Sequence, residues 1–156
     1  MQQSRRGITI LEMMVVVAII SLMAGLMYPS ITSGLDGIKL GSASSEVAAF
    51  LNGAMEHANR RNTPVEVTCL RAENAIVVRS LEPKYMHRYD LPQGIAMERI
   101  LPPSPADSFA PRVFMIYPGG TMPRVGVLLA TSQGKRRLVR IDPITGTPIV
   151  EVPVVP

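Results

Sequence analysis

An uncharged apolar run is the feature that most constrains this chain. No charged residue occurs from Met13 to Leu35. A helix over that stretch is about 34 Å long at ~1.5 Å per residue, which is enough to cross a hydrocarbon core of ~30 Å. Arg5 and Arg6 precede the run, and Lys39 is the first cation after it. The positive-inside rule therefore predicts a membrane segment with a cytoplasmic N-terminus and a translocated remainder.

Glu12 lies at the edge of this run, where a carboxylate is costly and needs a cationic partner. A plain membrane anchor leaves this charge unexplained. A cleaved secretory signal is a second interpretation, but no A-x-A site follows the run. A lipoprotein signal needs a cysteine near the end of the run, and the single cysteine is Cys69. The position of Glu12 therefore indicates a function beyond anchoring.

The residues around Glu12 resemble a known processing site. The segment Arg6-Gly7-Ile8-Thr9-Ile10-Leu11-Glu12 is similar to the prepilin peptidase site of type IV pilins and type II secretion pseudopilins. The resemblance implies that the peptidase cuts after Gly7, that Ile8 becomes the methylated N-terminus, and that Glu12 is the family's glutamate. Ile8 departs from the phenylalanine that is usual there. Pro29 falls where the family's long helix usually carries a kink.

Four parts follow from this organisation: a leader (1–7), a transmembrane helix (8–35), the amphipathic half of the same helix (36–62) and an antiparallel β-sheet domain (63–156). In the amphipathic half, apolar residues recur every three or four positions: Leu40, Ala43, Val47, Phe50, Leu51, Ala54 and Ala58. Pro29, Gly34, Gly37 and Gly41 predict a kinked or locally melted junction between the two halves. A hinge and a loose membrane-exit segment both remain open as interpretations of that junction.

Eight extended segments follow the helix. They are predicted at 65–70, 75–81, 85–91, 95–101, 112–117, 126–131, 135–141 and 148–152, with turn residues between them. Antiparallel strands at this spacing after one long helix predict the α+β class, here the pilin fold. The hairpin after the helix, the Phe114–Gly120 turn and a late basic strand closed by Thr145-Gly146 are similar to the GspH/FimT group of minor pilins.

The sequence offers no catalytic or metal-binding arrangement. No G-x-S-x-G, P-loop or G-x-G-x-x-G motif occurs, so neither an enzyme nor a cofactor is expected. His57 has no second ligand one helical turn away, and the other histidine, His87, lies in a predicted strand. Cys69 alternates with Val65 and Val67 in a predicted strand and is expected to be a buried core residue.

A basic strand is a second candidate site. Lys135, Arg136, Arg137 and Arg140 lie close together, and alternation places Arg136 and Arg140 on one face and Lys135 and Arg137 on the other. Four cations could contact DNA phosphates, as some minor pilins of this group do in DNA uptake. No aromatic residue is interleaved for base stacking, and charge that protects a sheet edge explains the same residues. DNA binding is therefore possible but not favoured.

These observations lead to one functional hypothesis. The chain is expected to be a minor pseudopilin of a type II secretion pseudopilus, made as a single-pass inner-membrane precursor with a periplasmic domain. Its expected partners are a prepilin peptidase, an inner-membrane assembly platform and other pilins or pseudopilins in a filament. Glu12 could pair with the amine of Ile8 within the chain or on a neighbouring subunit, and pairing with a neighbour would set the register of assembly. The alternative is a minor pilin of a type IV pilus that binds DNA.

Overall fold

The computed structural model describes residues 9–81, 85–103, 109–120 and 123–153, with the backbone alone for 26–33. Within these ranges one long helix, α1 (Ile10–Arg61), precedes eight strands. They are β1 (Val65–Leu70), β2 (Ala75–Ser80), β3 (Met86–Asp90), β4 (Ile95–Leu101), β5 (Arg112–Ile116), β6 (Gly126–Thr131), β7 (Arg136–Ile141) and β8 (Pro148–Glu151). A short 3-10 helix, Arg71–Glu73, connects β1 to β2. The predicted α+β class is confirmed, and each predicted strand is present.

The backbone of α1 is helical through Gly34, Gly37 and Gly41. The predicted local melting of this junction is therefore wrong. Each glycine weakens a helix by up to ~1 kcal/mol, but it keeps the N–H that continues the hydrogen-bond ladder. The kink at Pro29 stays a prediction, because the side chains of 26–33 lie outside the description.

The chain divides into two compact units, Met1–Leu35 and Asp36–Pro156. The described part of the first unit is the beginning of α1, where large apolar side chains from Ile10 to Met23 are exposed. Among the side chains that the structure describes, no helix combines the length and apolarity needed to cross a membrane.

In the second unit, α1 ends in a left-handed turn. Asn62 has a φ of 51°, and the N–H of Thr63 donates to the carbonyl of Ala58 at 3.2 Å. This is the Schellman arrangement, in which asparagine is one of the few non-glycine residues tolerated. The turn redirects the chain from α1 into β1.

The strands form two antiparallel sheets. The first sheet has the order β3-β2-β1-β5, and the second has the order β4-β6-β7-β8. β3 and β4 are consecutive in the chain but belong to different sheets. Asn74, which follows the 3-10 helix of the first sheet, accepts a hydrogen bond through Oδ1 from the N–H of Met97 in β4 at 2.8 Å. This contact ties the tip of the first hairpin to the second sheet.

One hydrophobic core unites α1 with both sheets. Buried residues of α1 are Leu40, Ala43, Val47, Leu51, Ala54, Met55 and Ala58. The first sheet contributes Val65, Val67, Cys69, Ile76, Val78 and Ile116, and the second contributes Ile95, Met97, Ile100, Val127, Leu129, Val139 and Ile141. The three-to-four spacing predicted for the helix is confirmed, except that Phe50 is half-buried and packs against Tyr89 at 5.8 Å.

A β-bulge interrupts β4. The pairing passes from Met97 opposite Leu129 to Arg99 opposite Leu128, so Glu98 has no opposite residue. The bulge shifts the alternation of buried and exposed residues along β4. As a result, Met97 and Ile100 are both buried although they are three residues apart. Glu98 is thereby turned towards the outer face of the second sheet.

Candidate functional site

The described structure begins at Thr9, so Gly7 and Ile8 lie outside it. Thr9 is the N-cap of α1: its Oγ1 accepts a hydrogen bond from the N–H of Glu12 at 3.2 Å. Glu12 stands three residues after this N-cap, at the helical position where a capping box carries glutamate or glutamine. The carboxylate also lies in the first turn, where the helix dipole favours negative charge. Glu12 thus has a local structural role besides the predicted assembly role.

On both sides of Glu12 in the sequence, α1 exposes a continuous apolar surface. The exposed side chains are Ile10, Leu11, Met13, Met14, Val15, Val16, Val17, Ile19, Ile20, Leu22 and Met23. A helix that is apolar on all sides requires lipid or other helices around it. An exposed surface of this size marks a site of protein or membrane interaction.

The basic strand, β7, is arranged as alternation predicts. Val139 and Ile141 are buried, which places Arg136, Leu138 and Arg140 on the outer face of the second sheet. Arg136 Nε donates to Glu98 Oε2 at 2.6 Å. It reaches that carboxylate across β6, where only the small side chain of Ala130 stands opposite Arg136.

The second arginine of this face is also paired. Arg140 donates to both carboxylate oxygens of Glu151 in β8, with distances of 3.0 and 2.7 Å. This bidentate geometry is the strong form of an arginine–carboxylate contact. The hydrogen bonds from Arg140 hold the pKa of the Glu151 carboxyl below its usual range, and those to Glu151 raise the pKa of Arg140. Two of the four predicted phosphate-binding cations are therefore already neutralised.

The remaining two cations differ from these. Arg137 is half-buried on the core side of β7, and no ion pair involves it within the described residues. The N–H of Lys135 donates to Thr131 Oγ1 at 3.2 Å, in the turn before β7. The structure thus places Arg136, Arg137 and Arg140 on β7 and Lys135 in the turn before it, and the four residues do not share one surface. Sequence reasoning missed Glu98 and Glu151 as partners, because they lie 38 and 11 residues away from their arginines.

Both histidines of the chain meet at Tyr85. The ring of His57 stacks on Tyr85 with centroids 3.4 Å apart, and His87 approaches the same ring edge-on at 4.8 Å. His57 therefore faces the β-sheet domain through Tyr85. Across the part of the chain that the structure describes, no group of three histidine, cysteine or acidic side chains could hold a metal ion.

Cys69 is fully buried, as its alternation with valines predicts. Burial raises the pKa of its thiol to about 12, and the nearby positive charge of Arg112 opposes this effect. The thiol is therefore protonated at neutral pH and is a packing residue rather than a nucleophile.

Comparison with known proteins singles out the N-terminal segment. The family described as the prokaryotic N-terminal methylation motif matches residues 2–28. No curated protein and no solved structure matches the chain significantly. The match covers Gly7, Ile8 and Glu12, and the helix packed on antiparallel sheets is consistent with the pilin fold. The N-terminal segment is therefore similar to that of type IV pilin-like precursors, and the motif implies processing by a prepilin peptidase and assembly with other pilins.

Proposed function

We propose that the chain is a minor pseudopilin of a type II secretion pseudopilus. The observation that carries the proposal is the methylation motif at residues 2–28, followed directly by the exposed apolar surface of α1. The precursor is anchored in the inner membrane by residues 8–35 and is cut after Gly7. The same apolar helix then leaves the lipid and packs against its neighbours in the filament.

In this proposal the domain after residue 36 is displayed in the periplasm and contacts other subunits. It has no enzymatic task. The inner-membrane assembly platform receives the processed chain. The methylated amine of Ile8 pairs with Glu12 of an adjacent subunit, which fixes the axial register of the two helices. Because desolvation opposes the attraction of a buried ion pair, the pair specifies register more than it stabilises the filament.

Two substitutions at Glu12 separate the register role from the capping role. Glu12→Gln keeps a side chain that suits the capping box but removes the charge, whereas Glu12→Ala removes both. The register hypothesis predicts that both variants are processed normally and both fail to enter the filament. If capping is the whole role of Glu12, Glu12→Gln will be incorporated like the unaltered chain.

Processing and secretion test the proposal as a whole. Gly7→Ala is expected to block or severely slow the removal of residues 1–7, which immunoblotting detects as a precursor of lower mobility. Deletion of the gene is expected to abolish export of the secreted substrates, and the unaltered chain should restore it. Normal export in the deletion strain, together with loss of surface pili, would favour the pilus alternative instead.

That alternative is a minor pilin of a type IV pilus, with DNA binding through β7. Its support is the cluster of Lys135, Arg136, Arg137 and Arg140 at that strand. The ion pairs of Arg136 with Glu98 and of Arg140 with Glu151 count against it, since a paired arginine must give up its carboxylate before it contacts a phosphate.

A further inference from the structure

Two lysines lie where α1 leaves the uncharged run. Lys39 is the first cation after that run, four residues beyond Leu35, and its side chain is exposed. Lys135, in the turn between β6 and β7, reaches the same part of the helix, because a Cβ built on Gly37 would lie 3.3 Å from Lys135 Nζ. The ammonium group of Lys135 therefore lies beside α1, two residues after Leu35. Both lysines belong to the unit Asp36–Pro156.

The turn that carries Lys135 is held by three hydrogen bonds. The N–H of Thr131 donates to the carbonyl of Lys135 at 2.9 Å, and the N–H of Lys135 donates to Thr131 Oγ1 at 3.2 Å. The N–H of Gly134 donates to the carbonyl of Thr131 at 3.0 Å, and Gly134 has a φ of 81°, which glycine adopts without strain. The backbone at Lys135 is thus fixed, so its ammonium group is presented at one level of α1.

The two ammonium groups belong to different sides of α1. Successive helical residues are rotated by about 100°, so the side chain of Lys39 leaves the helix about 200° away from Gly37, where Lys135 lies. Asp36 is the one carboxylate between residues 34 and 45. Two cations therefore share this part of the helix with one anion, and its net charge is positive. We call Lys39 and Lys135 the lysine collar.

The depth of the lysine collar follows from helix geometry. The uncharged run from Met13 to Leu35 is about 34 Å long as a helix, close to the ~30 Å of a hydrocarbon core. At ~1.5 Å per residue, Gly37 and Lys39 lie about 3 and about 6 Å beyond Leu35. Each headgroup layer is about 5 to 7.5 Å thick, because a whole bilayer measures ~40–45 Å. With the uncharged run in the membrane, both ammonium groups fall at the level of the lipid headgroups.

We propose that the lysine collar binds the headgroup phosphates of anionic phospholipids on the periplasmic surface of the membrane. The inference rests on the proposed function, because it requires residues 8–35 to span that membrane. An ammonium group donates up to three hydrogen bonds, so a contact of Lys135 within the chain leaves donors for a phosphate oxygen. The collar seats the domain on the membrane, and its lipid contacts are given up when α1 moves into the filament.

The arrangement of the lysine collar favours lipid over a protein ligand. Headgroups surround a membrane helix on all sides at this level, so both ammonium groups reach phosphates although they lie on different sides of α1. A single acidic segment of a partner protein would contact one side alone. Anionic lipid also attracts cations that lie within a Debye length of the surface, which is about 8 to 10 Å at physiological salt.

Lipid selectivity of the full chain in vesicles tests this inference. The chain is reconstituted into mixed phosphatidylglycerol and phosphatidylcholine, and electron spin resonance of spin-labelled lipids gives the association constant of each lipid at the protein. We expect phosphatidylglycerol to be preferred, and the preference to fall as the salt concentration is raised. Lys39→Gln combined with Lys135→Gln should lower the preference by up to about fivefold for each lysine.

Two further double variants make the result specific. Lys39→Arg with Lys135→Arg keeps both charges and should keep the preference. Arg61→Gln with Arg124→Gln is the matched control, because both arginines are exposed and the loss of charge is equal. Arg61 ends α1, about 33 Å along the helix from Lys39, and Arg124 precedes β6 whereas Lys135 follows it. The control should leave the preference unchanged, and the cations of the leader are common to all of these chains.

Three results would overturn the inference: no preference of the unaltered chain for phosphatidylglycerol, equal losses with the glutamine variant of the collar and the control, or an equal loss with its arginine variant. The proposed function fails separately. Normal cleavage after Gly7 and normal export without a lipid preference would overturn the lysine collar alone. Absent cleavage of a chain that shows the preference would overturn the pseudopilin proposal and leave the lysine collar standing.

Discussion

The ion pairs of Arg136 with Glu98 and of Arg140 with Glu151 should weaken any binding of DNA to β7. Removal of the two carboxylate charges should therefore raise the affinity for DNA. The double variant E98Q/E151Q keeps the shapes of both side chains and removes their charges. Arg136 and Arg140 then lose their partners at 2.6 and 2.7 Å and become available to phosphate oxygens.

The size of the effect follows from counterion release. Each phosphate contact contributes about −0.9 to the slope of log K against log salt concentration. Arg136 and Arg140 are the two cations of β7 on the outer face of the second sheet, so their release adds at most two phosphate contacts and steepens the slope by about 1.8. Between about 50 and 200 mM salt, this difference in slope corresponds to an additional loss in affinity of about 12-fold.

Fluorescence anisotropy of a short labelled duplex, titrated with the chain in non-ionic detergent at several salt concentrations, gives both slopes. The matched control is the double variant E73Q/D90N, which makes the same change in net charge and frees Arg88 on β3 instead. E98Q/E151Q should bind more tightly at low salt than either the unaltered chain or this control. Thermal melts of all three chains show whether the substitutions disturb the fold.

Two results would refute the reasoning. Equal slopes for the unaltered chain and for E98Q/E151Q would mean that the ion pairs open without measurable cost when DNA binds. An equal increase in affinity for both double variants would mean that net charge, rather than the arginines of β7, governs binding.

Three further predictions concern stability and reactivity. Leu51→Ala, at a side chain that is 1% exposed in the core, should lower the free energy of unfolding by about 3 kcal/mol in a urea titration, whereas Leu81→Ala at an exposed site should change it by less than about 0.5 kcal/mol. Cys69 should resist thiol reagents at pH ~8 until the chain is unfolded, and rapid labelling of the folded chain would contradict this burial. Because burial raises the pKa of the thiol to about 12, the free energy of unfolding should fall as the pH rises above the unfolded thiol pKa of ~8.5. Arg140 lowers the pKa of Glu151 in the folded chain. The ion pair therefore contributes to the free energy of unfolding above the unfolded pKa of ~4.3, and this contribution is lost as the pH falls through the lower folded pKa. The free energy of unfolding of E151Q, followed by circular dichroism in urea, should depend less on acid than that of the unaltered chain.

Local patterns were sufficient to predict the elements of this fold. The two-residue alternation of Val65, Val67 and Cys69 and the three-to-four spacing of Leu40 and Val47 each reflect the geometry of a single element. Such periodicity depends on neighbours a few residues away, and the sequence displays it directly.

The pairing of strands was beyond that kind of reasoning. β3 and β4 follow each other closely, yet they enter different sheets, and no local signal distinguishes this from a hairpin. The bulge at Glu98 changes which residues of β4 face outward, and this change brings Glu98 to Arg136. The basic strand therefore looked like a free cationic surface in sequence, because the carboxylates that pair with it are positioned by tertiary structure.

The contact between Asn74 and Met97 has a consequence for solubility. β4 is an edge strand of the second sheet, and an edge with free backbone donors can pair with the edge of another molecule and start aggregation. The N–H of Met97 is one of the backbone donors on this edge, because it is bonded to Asn74 Oδ1 rather than to β6. This donor is therefore no longer free to pair with another strand. In the proposed filament, where neighbouring domains would lie side by side, this edge therefore offers one free N–H fewer to the strand of another subunit.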